Sequence, residues 1–335
     1  MNDKILTFNS IFAPSIDEYL AVKQQQNTNV RAIITVMKEL DKLPLVRHIE
    51  LPVITKEIFM QWKSLYADGE GRTAYAKIGI FRRFAQFLCQ IGYASFIPPM
   101  RKRLPSSYVP RIYSEKEISD IFRVIDSTAL TIHHNTTCLI CLPTIFRFLY
   151  YCGARVGEVL EIKNGDVNLE KGFITLKKTK NRKYRVIPLN DQMKEIITTY
   201  LHYRDKMPIP DITSPDNYLF TNHRGEKITA TAIYVRFKQT LEKCGINHVG
   251  HQQGPRLHDL RHTFAVHSVY HMVQNGLDIY TAWPILSTLL GHHDIYSTEH
   301  YIRLTLEVYP DLYKTIGNKL DSIFPNISEY EEAKN

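Results

Sequence analysis

Two tyrosines stand five residues apart beside a histidine pair in LGHHDIYSTEHYIRL, residues 290–304. A phenol with a pKa near 10 is a poor nucleophile while neutral, so it needs cations and a base nearby to ease its ionisation. Two other segments offer those partners. In CGARVGEVLEI, Arg155 follows a glycine turn at a helix start, where its guanidinium fork and neighbouring backbone amides can hold an anion. An ordinary salt bridge to Glu158 or Glu161 is the competing reading. In RLHDLRHTFAVH, His258 and Arg261 are three apart and share one helical face, while Arg256 and His262 project elsewhere. Around the tyrosines, Gly291 and His292 end one helix and Ser297 or Thr298 caps the next. This places Tyr301 in that helix's first turn and Tyr296 in the connecting loop.

A metal site is the rival use of these histidines. His258 and His262 have the i, i+4 spacing of zinc helices, but Asp259 stands where such a site places a glutamate base. Arg261 would also set a fixed positive charge beside a dication, so no metal is expected. Cys138 and Cys141 form a CxxC inside an apolar stretch with no second pair to complete a zinc site, which reads as two small residues of a buried helix. The five cysteines are odd in number and scattered, fitting a reducing compartment rather than a disulfide framework. No apolar run reaches membrane-spanning length and the first residues lack the layout of a secretory signal, so a cytoplasmic location without membrane attachment is expected.

Charge is unevenly spread. The net charge is +8, and up to Arg111 there are 16 basic residues against 9 acidic, whereas the remainder is nearly balanced. Between Gly71 and Ser114 there are eight basic residues (Arg72, Lys77, Arg82, Arg83, Arg101, Lys102, Arg103, Arg111) and no acid. Such a surface suits a polyanion, and releasing counterions from nucleic acid phosphates is its usual use; a merely solvated basic face is the alternative.

These residues need a scaffold. The 335 residues suffice for two domains. Arg72 to Tyr93 repeats apolar side chains at three- and four-residue steps with arginines between, an amphipathic helix with a basic face. SIDEYLAVKQQQNTNVRAIITVMKELDKL and ITKEIFMQWKSLYAD read as further helices, each opened by Ser or Thr followed by acids. Residues 1–100 are therefore expected to form a helical domain, and the proline-rich basic stretch 101–113 a linker. Ser114 opens a second region, 114–335, whose Phe173–Leu176 and Arg185–Leu189 runs read as a hairpin around a basic turn. The fold class expected is mainly α with a small antiparallel β-sheet (α+β).

Taken together the segments resemble the tyrosine recombinase (phage integrase) family. The matching residues are GARVGE around Arg155, Lys180 in KTKNRKYRVIPL, HDLRHTFA with His258 and Arg261, LGH ending at His292, and a tyrosine nine residues beyond, Tyr301. The likeness covers residues 114–303 closely and the basic front end more loosely, as that family's DNA core-binding, SAM-like domain. It implies a site-specific recombinase that cleaves and rejoins double-stranded DNA through a 3′-phosphotyrosine, with Arg155, Lys180, His258, Arg261, His292 and Tyr301 catalytic. It implies no cofactor, and a chain that is monomeric when free and homotetrameric on paired sites, with the tail after Tyr301 docking on a neighbour or on its own domain. Arg155 and Arg261 would hold the phosphate, His258 would take the phenol proton, and Lys180 would protonate the leaving oxygen, with Lys178 as the substitute. Lys171, Lys177, Arg182, Lys183 and Arg185, which crowd the same hairpin, are expected to bind phosphates, as are the basic residues of the front end. Two rivals share parts of this pattern: a type IB topoisomerase, and a DNA-binding accessory protein with a decayed site. One departure is the spacing of about thirty residues between Arg261 and His292, which looks like transposon-carried recombinases or an enlarged loop.

Overall fold

The computed structural model describes residues 7–26, 28–100, 108–131, 139–177, 184–250, 254–292 and 296–312. The chain divides into two compact units, Met1–Ser107 and Tyr108–Asn335. Among its described residues the first holds four α-helices: α1 (Ala13–Gln25), α2 (Arg31–Asp41), α3 (Lys56–Tyr66) and α4 (Arg72–Gln90). The long stretch from Ser15 thus divides in two. Ser15 lies buried inside α1 rather than at its start, and the Asn29 side chain accepts the Arg31 amide where the chain restarts. Thr55 does cap α3, accepting the Ile58 amide. On α4 the residues Ala74, Ile78, Phe81, Ala85 and Leu88 are buried, a stripe at helical spacing that closes over Tyr19, Met37 and Trp62. Trp62 and Phe81 meet with ring centroids 4.4 Å apart.

In the second unit, α5 (Glu115–Thr131) opens on a capping box: the Ser114 hydroxyl accepts the Glu117 amide while the Glu117 carboxylate accepts the Ser114 amide. Then come α6 (Cys141–Tyr151), the single turn α7 (Val156–Val159), three short strands, α8 (Asp191–Arg204), α9 (Ala230–Lys243), α10 (Asp259–Gln274), α11 (Ile279–Leu290) and α12 (Tyr296–Val308). The strands β1 (Val167–Asn168), β2 (Phe173–Leu176) and β3 (Arg185–Pro188) form an antiparallel sheet in that order. Ile174 pairs with Ile187 and Leu176 with Arg185; Ile174, Leu176 and Ile187 are buried, as period-two patterning requires. The expected α+β class holds.

Helix α10 is the centre of this unit, packed on α6, α11 and α12. It therefore buries residues all round, polar ones included: Asp259, Arg261, Thr263 and His267. The segment just before α5 lies on it too, with Tyr113 N donating to Thr263 and Tyr108 Oη to Asp259. The long Arg261–His292 spacing is filled by two ordinary helices joined by a short turn, so it is not an enlarged loop. Cys141 is buried at the start of α6 against Tyr200; Cys138 lies outside the described residues. No described helix is long and apolar enough to cross a membrane.

Candidate active site

Arg261 sits in the first turn of α10, only 1% exposed. Its Nη1 donates to the Gly153 carbonyl at 2.6 Å and its Nη2 to the Leu290 carbonyl at 2.7 Å. Burial first, then the charge of Arg155, brings its pKa down to about 10, so the guanidinium is still charged at neutral pH. Nη2 also lies 3.2 Å from His292 Nε2. A guanidinium can only donate, so Nε2 accepts and the His292 proton sits on Nδ1, which donates to Thr298 Oγ1 at 2.8 Å. His292 follows Gly291, whose left-handed φ of 63° ends α11 and turns the chain toward Arg261.

Gly153, with φ 55°, makes the turn that places Arg155 at the start of α7. Arg155 Nη1 donates to Glu158 Oε1 at 2.8 Å and its backbone amide donates to Oε2 at 3.0 Å. The competing salt bridge is therefore present, and it holds the guanidinium beside Arg261 instead of removing it. Burial pushes the Glu158 pKa up, but Arg185, then the hydrogen bonds and charge of Arg155, outweigh it and hold the carboxyl below its ordinary value.

His258 immediately precedes α10 and keeps solvent contact. Surrounding protein, then the Arg261 and Arg155 charges, pull its pKa down to about 4; the two charges are the part that exposure leaves in place. The imidazole is neutral at physiological pH and can accept a proton.

Tyr301 is 4% exposed and belongs to the second turn of α12, not the first. The helix starts at Tyr296, which is thus helical and not in a loop, and Thr298 turns to His292 instead of capping. The Tyr301 ring stacks on His292, and Arg261 hydrogen-bonds its hydroxyl. Burial raises the phenol pKa more than the arginines lower it. His262 was expected to project away. Instead it meets His258 edge-on with centroids 4.8 Å apart and lies 5.4 Å from the Tyr301 ring. The i, i+4 spacing was the signal for this; the expectation erred by treating that spacing only as a metal pattern. Among the described residues no group of three or more metal-binding side chains forms, and Asp259 instead accepts from Tyr108 and from the Arg256 amide.

Arg155, His258, Arg261, His292 and Tyr301 thus come together from three separated segments. The model of the phage integrase family matches residues 112–307. The chain belongs to this family. An integrase/recombinase of Sinorhizobium fredii is 26% identical over 317 residues, covering 93% of this chain and 98% of that protein. The tyrosine recombinase XerD of Staphylococcus haemolyticus is 29% identical over 244 residues, 72% and 75% of the two chains. Among solved structures, the XerH site-specific recombinase bound to palindromic difH substrate shares the fold with TM-score 0.62 and 17% identity over 90% of this chain and 85% of that one. The Tn1549 transposon integrase in complex with transposon right end DNA does so with TM-score 0.61 and 15% identity, over 90% of this chain and all of that one.

The basic residues of this phage integrase family member fall into different environments. Arg72 and Arg83 are exposed on α4. Lys77 pairs with Glu39 at 2.5 Å, and Arg82 donates to the Pro98 carbonyl, so part of the basic face is spent inside its own unit. Lys177 pairs with Asp166 at 2.5 Å. Arg185, expected to bind phosphates, is only 9% exposed at its side chain and is bonded to Glu158 and the Leu289 carbonyl, which corrects that expectation. Arg101, Lys102, Arg103, Lys178, Lys180, Arg182 and Lys183 lie outside the described residues, as does the tail from residue 313.

Proposed function

We propose that Tyr301 is the nucleophile of this site-specific recombinase, attacking a phosphodiester of double-stranded DNA. The observation that carries the reading is the phenol held at Arg261, with His262 and His292 against its ring and His258 next to His262. Attack forms a bond from the Tyr301 oxygen to phosphorus and breaks the bond to the 5′ oxygen, leaving a 3′-phosphotyrosine. The phenol proton passes to neutral His258, and Lys180 protonates the departing 5′ oxygen. Arg155 and Arg261 stabilise the charge that develops on the non-bridging oxygens, a task suited to parallel donors that stay protonated. Because the phosphotyrosine conserves the bond's free energy, a 5′-hydroxyl from another strand reverses the step and joins new partners, with no nucleotide or metal in the balance.

At rest, Arg261 directs its donors to two carbonyls, His292 and the phenol. An entering phosphate offers better acceptors than the last two, and its arrival frees Tyr301 to move in line. The front unit, with Arg72, Arg83 and the 101–103 basic run, follows the DNA backbone, as do Lys178, Arg182 and Lys183; Lys77 and Arg82 join it only if they leave their present partners. Exchange between two duplexes calls for four copies, so the chain works as a homotetramer assembled on paired sites in the cytoplasm.

The test is to incubate the full chain with sheared genomic DNA, trap protein–DNA adducts with detergent and sequence the bound DNA. Adducts at discrete sites, with recombinant products between two of them, support the reading. Relaxed supercoils without recombinants favour a topoisomerase, and binding without an adduct favours an accessory protein.

A further inference from the structure

We infer that Arg185 is a positioning residue for strand cleavage, acting through Glu158 on Arg155 and through the Leu289 carbonyl on His292. The inference rests on the recombinase reading above and concerns a side chain whose hydrogen bonds run to protein acceptors, Glu158 and the Leu289 carbonyl.

The Arg185 side chain is 9% exposed and leaves the first residue of β3. Its Nη2 donates to Glu158 Oε2 at 2.8 Å and its Nη1 to the Leu289 carbonyl at 2.6 Å. Each acceptor belongs to one half of the site. Glu158 carries Arg155 on its other oxygen. Leu289 lies in the last turn of α11, where carbonyls lack intrahelical donors. Arg261 takes the next carbonyl, Leu290, so two arginines grip consecutive peptide oxygens just before Gly291 and His292.

Gly291 makes this possible twice over. Its φ of 63° suits glycine, and a Cβ there would lie 2.9 Å from Arg185 Cδ and 3.1 Å from Nη1. Arg185 Nε is buried without an acceptor among the described residues, so the two terminal nitrogens do all the bonding. A lysine carries its three donors on a single nitrogen, so it lacks the two separate nitrogens that reach Glu158 and the Leu289 carbonyl here. A buried ion pair of this kind is weak evidence for stability, since an apolar side chain of similar volume often serves as well. What the guanidinium supplies is register among three elements, β3, α7 and the end of α11.

The test uses the full chain and a nicked duplex carrying a sequence recovered by covalent trapping, so that the cleaved fragment diffuses away. Single-turnover cleavage at saturating protein and the duplex dissociation constant are measured for Arg185→Met, Arg185→Lys, Glu158→Gln and Arg185→Met with Glu158→Gln. Cleavage by Arg185→Met should fall on the order of 100-fold and by Arg185→Lys about 10-fold, while affinity stays within about threefold. The double variant should be no more than about threefold slower than the slower single, because both changes break one chain of contacts. Independent, multiplying losses, or Arg185→Met cleaving at the wild-type rate, overturn the inference. Should Arg185→Met lack a cooperative thermal transition, the same cycle is run with Arg185→Lys and read by the same criteria. A wild-type chain that forms no adduct sinks the recombinase reading, and this one with it; a normal wild-type adduct with an indifferent Arg185 sinks this one alone.

Discussion

The Tyr301 ring lies nearly parallel to the His292 imidazole, with 13° between their planes and 5.9 Å between centroids. Arg261 bridges the same two residues from α10, so the phenol rests against an arginine of its own chain. Burial raises the phenol pKa more than the arginines lower it, which keeps the phenol protonated there.

Tyr301→Phe keeps the ring packing and removes the hydroxyl. It should bind duplex DNA with wild-type affinity and give no detergent-stable adduct on a denaturing gel. An adduct surviving in this variant would move the nucleophile elsewhere, with Tyr296 tested next.

Arg155→Ala should slow single-turnover cleavage on the order of 100- to 1000-fold with little change in affinity, since it removes charge stabilisation of the transition state. Equal losses in rate and affinity would make Arg155 an ordinary backbone contact. Arg261→Ala should add a stability loss of about 2–4 kcal/mol in denaturant titration, because the Gly153 and Leu290 carbonyls lose their donors inside the core.

Surrounding protein, then the Arg261 and Arg155 charges, pull the His258 pKa down from an ordinary 6.5 to about 4. Between those values the unfolded chain holds a proton that the folded chain does not, so stability rises with pH through this window and levels off above it. Falling pH from about 6.5 to about 4 therefore costs stability, and the unfolding free energy of His258→Gln should fall less steeply over that range. Identical slopes in both proteins would show that His258 keeps its ordinary pKa.

Gly153→Ala tests the turn that sets Arg155. A Cβ there would sit 2.3 Å from the Phe264 ring at a φ of 55°, so both backbone and packing must give. We expect a loss above about 2 kcal/mol, measured by denaturant melting. A variant as stable as wild type would mean that Phe264 moves aside freely.

Cleavage should persist in excess EDTA, because the proposed reaction draws its charge stabilisation from guanidinium groups. Loss of the adduct on chelation, restored by zinc, would favour the rival reading of His258 and His262 as metal ligands.

Several features were legible because they depend on near neighbours in the chain. The β2–β3 hairpin follows from alternating burial, the α5 start from Ser114 and Glu117, and the end of α11 from Gly291 before His292. The break between α1 and α2 had a signal too, in the turn-forming residues Asn27 to Asn29, but helical apolar spacing on both sides masked it. Thr298 looks like a cap in sequence, yet α12 starts at Tyr296 and the Thr298 hydroxyl serves His292.

Residue types and spacing by themselves determined the fold class, the family, and which arginines, histidines and tyrosine could do chemistry. Tertiary structure alone decided how like-looking residues divide: Arg72 faces solvent, Lys177 pairs with Asp166, and Arg185 is held between Glu158 and Leu289. It likewise brought His262 to the phenol and set Arg261 on two carbonyls. The physical reason is range. Helix caps, alternation and spacing act within a few residues, whereas the desolvation and pairing that separate a buried charge from a solvated one depend on segments that meet only when the core closes.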